Sequence, residues 1–398
     1  SGSSYVVFGK ASAFAATVNL SDLNGTTGFR LDGEAAGDRS GYSVSSAGDV
    51  NGDGYDDLII GADGTDNNGT DSGSSYVVFG VAAGMGATVN LSSLDGTTGF
   101  RLDGETAVDT VSSAGDINGD GYDDLIIGTP YTDINGNNSG SSYVVYGKAS
   151  AFASTVNLSD LNGTTGFRLD GEAAGDQSSW SVSSAGDVNG DGYDDLIIGA
   201  WYADNNGSKS GSSYVVFGTD NAFAPTVNLS TLDGTNGFRL DGEAALDYSG
   251  FSVSSAGEVN GDGYDDLIIG TPYANNNGTY SGSSYVVFGS GNAFAPTVNL
   301  STLDGTNGFR LDGVATDDKR GFSVSSAGDI NGDGYDDLII GAKGANNNGS
   351  NSGSSYVVYG GAKWGASAQV ATVGDDTVTG TAGADSLIGG EGNDTLNG

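Results

Sequence analysis

The 398-residue sequence has no cysteine, no histidine and only 4 prolines, and it sets 13 basic side chains against 51 acidic ones. Each shortage excludes something. Without His or Cys there is no Ser-His-Asp triad, no thiol nucleophile and no His/Cys zinc site. A net charge of −38 without basic patches argues against nucleic acid and anionic membranes as partners. No apolar run approaches the roughly 20 residues of a transmembrane helix, so membrane insertion is not expected. The absence of cysteine also removes any disulfide evidence for a compartment. The apolar fraction of 36% is low, yet Val, Leu, Ile, Tyr and Phe come in short clusters, which is not the composition of a disordered chain.

What is abundant is glycine, 71 residues, and repetition. The string SGSSYVV[FY]G starts at Ser1, Ser72, Ser139, Ser210, Ser281 and Ser352, in steps of 71, 67, 71, 71 and 71 residues. A long fixed period means a repeat architecture. The short step arises because GEAAGDRSGYSVSSAG in the first unit becomes GETAVDTVSSAG in the second, four residues shorter. Within a unit, Tyr5 to Phe8 form a β-rich run, Val18 and Leu20 alternate with polar neighbours, as do Phe29 and Leu31, and Tyr42 and Val44 open a further strand. Leu58, Ile59 and Ile60 form a continuous apolar run suited to a strand buried on both faces. About four strands per unit and no helical period predict an all-β β-propeller with one four-stranded blade per unit. A β-solenoid is the alternative, but its rungs are usually about 20–30 residues.

Five loops have the form D-x-N-x-D-G-x-x-D. Oxygen ligands at alternate positions suit a hard cation such as Ca²⁺. The side chains at positions 1, 3, 5 and 9 and the backbone carbonyl at position 7 are the candidate ligands. They are Asp49, Asn51, Asp53, Tyr55 and Asp57; Asp116, Asn118, Asp120, Tyr122 and Asp124; Asp187, Asn189, Asp191, Tyr193 and Asp195; Glu258, Asn260, Asp262, Tyr264 and Asp266; and Asp329, Asn331, Asp333, Tyr335 and Asp337. Gly54 at position 6 allows the turn around an ion. An EF-hand would need a bidentate acid at position 12, where this chain has Ile60 and a strand follows. Asp/Asn/Gly loops are often only turns. However, positions 1, 5, 8 and 9 of five copies gather twenty of the 51 acidic residues, and such carboxylates repel one another without a cation.

The order [FYW]-SVSSAGD-x-NGDGYDDLIIGA/TP resembles the FG-GAP repeat, the blade unit of the integrin α-subunit propeller and of many bacterial secreted proteins. Its first half appears as Gly41-Tyr42, Gly250-Phe251 and Gly321-Phe322, with Trp180 in the third unit. Its second half appears as Gly61-Ala62, Gly128-Thr129-Pro130, Gly199-Ala200, Gly270-Thr271-Pro272 and Gly341-Ala342. The resemblance covers roughly residues 1–360 and implies a propeller, usually seven-bladed, with calcium between the first two strands of a blade. The second unit departs most, because its gap removes the aromatic start of a strand and with it that blade's inner edge. Five calcium loops stand against six SSYVV strings. Either residues 1–35 close the final blade, or blades precede Ser1 and the sequence is a fragment.

Residues 374–398 carry a second pattern. Asp376, Asp385 and Asp394 are nine apart, as are Val378, Leu387 and Leu396, and 389–397 fits GGxGxDxUx. This resembles the RTX calcium β-roll, in which the three aspartates would ligate calcium. Such tails imply one-step type I export from bacteria and folding outside the cell at millimolar calcium. The division expected is a propeller over 1–365 and the start of a β-roll over 366–398.

Arg30, Arg101, Arg168, Arg239 and Arg310 recur in F-R-L-D-G and suit blade-to-blade ion pairs, with Asp32 and its equivalents as partners. Tyr131, Trp201, Tyr202 and Tyr273 stand in loops that vary between blades, where they pack or stack on sugar rings. The function expected is a secreted, calcium-stabilised module of adhesion or extracellular structure. Glycans, cell-surface or matrix proteins and further copies of the chain are the candidate partners. The alternatives are a lectin-like module and a non-catalytic accessory domain of a secreted enzyme. No catalytic constellation is visible, so no enzymatic activity is expected of these residues.

Overall fold

The computed structural model describes residues 1–82 and 84–362 and, beyond them, four short strands. Among the described residues there is β-structure and, between strands, only three-residue 3-10 turns such as Leu20–Asp22 and Leu91–Ser93. No helix there is long and apolar enough to cross a membrane.

Four of the units fold into the expected four strands, and the one that begins at Arg320 shows three among the described residues. In the first complete unit Ser43–Gly48, Asp57–Ala62, Ser74–Val78 and Gly99–Asp103 pair antiparallel in that order. A fifth, short strand lies outside them. Thr155–Asn157, from the following unit, runs parallel to Gly99–Asp103 with Val156 opposite Leu102. The same strap covers Gly28–Asp32 with Thr88–Asn90, and Gly237–Asp241 with Thr297–Asn299. A strand edge is thus covered by three residues of the next repeat, which removes a row of unpaired backbone groups.

These sheets are blades of the β-propeller type, stacked face to face by sequence repetition. The run Leu58-Ile59-Ile60 explains how. Ile59 packs with Val111, Leu125 and Ile127 of the following blade, whereas Ile60 packs with Phe29 and Leu31 of the preceding one. A central strand between two sheets must be apolar on both faces. The chain forms two compact units. The one comprising 1–170 and 220–227 holds the partial first sheet and two full blades. The other comprises 171–219 and 228–398. Its blades begin at Ser178–Gly186, Ser252–Gly257 and Arg320–Gly328, with cores joining Ile197 to Leu267 and Ile269, and Ile268 to Val324 and Ile340.

Three expectations are corrected. The segment around Val18 and Leu20 is not a strand in the first unit but leads into the turn Leu20–Asp22. In later units it is the three-residue strap and a turn whose Leu is buried, as at Leu91. The second unit keeps its edge: Thr110–Gly115 is as long as Ser43–Gly48 and pairs identically. The four missing residues come out of the connection before it. The five Arg–Asp pairs lie within single strands, two residues apart, not between blades. The link to the preceding blade is instead a glutamate after the FRLDG string. Arg101 meets Glu34 at 3.2 Å, Arg239 meets Glu172 at 3.0 Å and Arg310 meets Glu243 at 2.7 Å. The same glutamates accept the hydroxyls of Tyr76, Tyr214 and Tyr285.

In the tail, Gln369–Val370 pairs parallel with Leu387–Ile388, and Thr377–Thr379 with Thr395–Asn397. Both pairs are offset by 18 residues, two nonapeptides, so Val378 stands opposite Leu396. Parallel pairing at a multiple of nine is the arrangement of a coiled β-roll. Asp376, Asp385 and Asp394 lie outside the described residues.

Candidate metal centre

Each D-x-N-x-D-G-x-x-D loop joins the first strand of a blade to the second. The sequence turns here because two glycines take left-handed backbone angles, Gly52 at φ +72° and Gly54 at φ +87°, which side chains resist. The acidic residues then fold the loop on itself. Asp49 accepts the N–H groups of Gly52 at 2.8 Å, Asp53 at 3.0 Å and Gly54 at 2.8 Å. Asn51 Oδ1 accepts the N–H of Asp53 at 2.8 Å, and Asp53 that of Tyr55 at 3.0 Å. The pattern repeats around Asp187 and Asp329, and around Glu258, whose longer side chain reaches the N–H of Gly261, Asp262 and Gly263. Asp116, Asn118 and Asp120 close the second loop in the same way.

Position 9 does more. Asp57, Asp124, Asp195 and Asp266 are fully buried. Asp57 accepts Val50 N–H at 3.1 Å with one oxygen and Gly80 N–H at 2.8 Å with the other, tying the loop to the end of the third strand. Asp124, Asp195, Asp266 and Asp337 make the same two bonds. Burial pushes these carboxyls up, to about 7 at Asp57, about 9 at Asp124 and about 8 at Asp195 and Asp266. The charges at positions 5 and 1 of the same loop add to the shift. A loop whose own acids oppose ionisation of a buried carboxyl invites a cation.

The donor set, carboxylates, a carboxamide and a backbone carbonyl, is all oxygen and fits a hard divalent ion. Among the described residues, no three carboxylates converge at ligand spacing. Asn51 Nδ2, for instance, donates to Asp53 Oδ2 at 3.1 Å. The loops are closed on their own N–H groups, with the donors gathered along one turn.

Two contacts at these loops are absent from the sequence reading. Position 8, an acid without an assigned ligand role, reaches back to the preceding loop. Asp123 accepts the N–H of Asp49 at 2.7 Å, Asp265 that of Asp187 at 2.9 Å, and Asp336 that of Glu258 at 3.0 Å. Position 7 reaches back too, because a Cβ at Gly52, Gly190 or Gly261 would overlap the ring of Tyr122, Tyr264 or Tyr335. Within each compact unit, consecutive loops are therefore interlocked. The repeated DD of the motif was the available signal. Of the variable-loop aromatics, Trp201, Tyr202 and Tyr273 come together through Tyr248, while Tyr131 stands 41% exposed in the other unit.

A model of the FG-GAP repeat matches residues 40–78, 109–145, 179–216, 249–287 and 321–358, and one of the RTX calcium-binding nonapeptide repeat matches 370–398. The integrin alpha pat-2 of Caenorhabditis elegans is 32% identical over 236 residues, 58% of this chain and 17% of that protein. The bovine phosphatidylinositol-glycan-specific phospholipase D is 31% identical over 190 residues, 46% of this chain and 21% of that protein. Mouse integrin alpha-IIb is 31% identical over 183 residues, 45% and 16%. The chain thus spans about a fifth or less of the length of these relatives.

Proposed function

The chain is built of five FG-GAP repeats followed by an RTX-type nonapeptide segment, and from that premise we propose that it is a calcium-stabilised extracellular module of adhesion or surface structure. The observation that carries this reading is the repeated loop. Five copies place oxygen donors beside a buried position-9 carboxylate that joins two strands. Calcium would be held by positions 1, 3, 5 and 9 and the carbonyl of position 7 in each loop. When bound, the ion supplies charge neutralisation that lets the buried carboxylate ionise. The chain's own part is to hold the third strand to the loop through that carboxylate. The role is structural, since no acid or base stands beside an open ligand position in the motif. The parallel 18-residue offset of the tail strands supports a β-roll beginning near residue 366, with Asp376, Asp385 and Asp394 as further ligands. Export by a type I route, as for bacterial proteins with such tails, goes with that segment.

The integrin-like relatives favour adhesion, with matrix or cell-surface molecules as partners. The partial likeness to a phospholipase D favours a second reading, a non-catalytic accessory domain of a secreted enzyme. Calorimetric titration with calcium tests the first. The expected result is about one site per loop, with the site in the first blade lost in Asp53→Asn/Asp57→Asn. Absence of calcium heat, together with an unaltered melt, would overturn it.

A further inference from the structure

The blade units are nearly one sequence, and two of the stretches that differ between them carry aromatic and charged residues. One is the stretch before the first strand: GDRSGY at 37–42, GDQSSW at 175–180, LDYSGF at 246–251 and DDKRGF at 317–322. The other is the turn after the second strand: ADG at 62–64, AWY at 200–202, TPY at 271–273 and AKG at 342–344. In the unit that holds the last three blades these two stretches meet. The Trp201 ring lies 4.6 Å from Trp180, 3.9 Å from Tyr202 and 5.3 Å from Phe251. The band continues from Tyr248 to Tyr273 at 5.1 Å, and from Phe251 to Phe322 at 4.7 Å. Its rings are half-buried.

The feature that marks this band as more than packing is charge. In a chain of net charge −38, the Lys209 ammonium sits 4.2 Å from the Tyr202 ring centre and that of Lys343 3.3 Å from the Phe322 ring centre. Lys319 is close enough to Lys343 to help lower its pKa, after burial. The acids nearby face elsewhere in part: Asp318 is buried and accepts Ala315 N–H, and Asp204 accepts the backbone N–H of Lys209.

We propose that this band is a binding site for an acidic glycan, a chain of pyranose rings bearing carboxylate or sulfate groups. Indole and phenol rings match the C–H face of a pyranose, and phenol O–H groups serve its hydroxyls. Trp201 is set in advance, since its Nε1 donates to Gln177 Oε1 at 2.9 Å, and a fixed ring loses little freedom on binding. The lysines on the ring faces take the acidic groups. The first blade lacks the arrangement: Arg39 and Asp63, at the positions of Gln177 and Trp201, pair with each other at 3.0 Å. The inference rests on the adhesion reading but not on calcium as its cause.

Titration calorimetry of the full chain with a hexameric uronate and a neutral hexose hexamer, in millimolar calcium, is the test. The uronate should bind, and Trp201→Ala should weaken it about tenfold. Lys209→Gln/Lys343→Gln, which keeps the length and polarity of both side chains, should weaken the uronate and not the neutral sugar. Tyr42→Ala, on the first blade, should change nothing. No uronate binding, equal binding of both sugars, or binding unaltered in the lysine variant overturns the proposal. A chain that calcium stabilises but that ignores the uronate fails here alone. One that binds the uronate yet melts the same in chelator fails only the calcium reading.

Discussion

Position 4 of the D-x-N-x-D-G-x-x-D loop is glycine for two reasons that act together. Gly190 has φ +74°, and a Cβ there would overlap the ring of Tyr264 from the next loop. Gly190→Ala should therefore cost about 1–3 kcal/mol by overpacking and strain. Removing the ring in Gly190→Ala/Tyr264→Ala should restore part of that, which a double-mutant cycle in denaturant reads. Additive losses would show that the ring is not the obstacle. A second residue-scale prediction concerns the buried acids under the connections. Burial, then the neighbouring glutamate, raises Asp176 and Asp247 to about 6. The folded state thus holds a proton that the unfolded chain, with an ordinary carboxyl, releases near pH 4. The contribution is full below that pH and is lost as pH rises through 6. Melting temperature at constant calcium should fall from pH 4 to pH 7 on account of these groups, and Asp176→Asn should flatten the slope. An unchanged slope in that variant would count against the assignment.

At the scale of strands and loops, the repeat serves as its own control. Ile268 and Ile339 occupy the same place in consecutive blades, yet Ile268 is 0% exposed and Ile339 is 39% exposed, because among the described residues only the first has a following blade against it. Ile268→Lys should cost several kcal/mol, since it buries an unpaired charge. Ile339→Lys should cost within about 0.5 kcal/mol. Equal losses would mean that the blade face is not what buries the isoleucine. This pair also shows what could be read in advance. The run LII announces a strand buried on both faces, and the loop spacing announces its ligand set, because both are local patterns with a physical period. The strap Thr155–Asn157 was not legible: it is three residues long and parallel, and its partner lies in the preceding repeat, so no local pattern points to it. The glutamate links failed to register for a similar reason. Glu34 follows FRLDG in its own unit but serves Tyr76 and Arg101 of the next. The four-residue gap misled because a deletion was placed in a strand, whereas a connection absorbed it.

Across the whole molecule, the interlocks decide how calcium should act. The backbone N–H groups of Asp49, Asp187 and Glu258 each donate to a carboxylate of the next loop, so filling one site fixes an element of its neighbour. Linkage sets the scale: an ion at a hundred times its Kd stabilises by about 2.7 kcal/mol per site. Several such sites exceed the margin of an ordinary domain, so chelation should lower the melting temperature sharply and broaden the transition. Independent sites would give a binding curve without cooperativity, whereas interlocked ones should give a Hill coefficient above one. Asp265→Ala separates the two cases. It deletes the bond to Asp187 N–H while leaving every assigned ligand in place, so it should keep the number of sites and lower the cooperativity, with a loss of about 1–3 kcal/mol for the unsatisfied N–H. If calcium sites are lost in that variant, position 8 is a ligand after all. If cooperativity is untouched, the loops respond singly and the interlock serves packing alone.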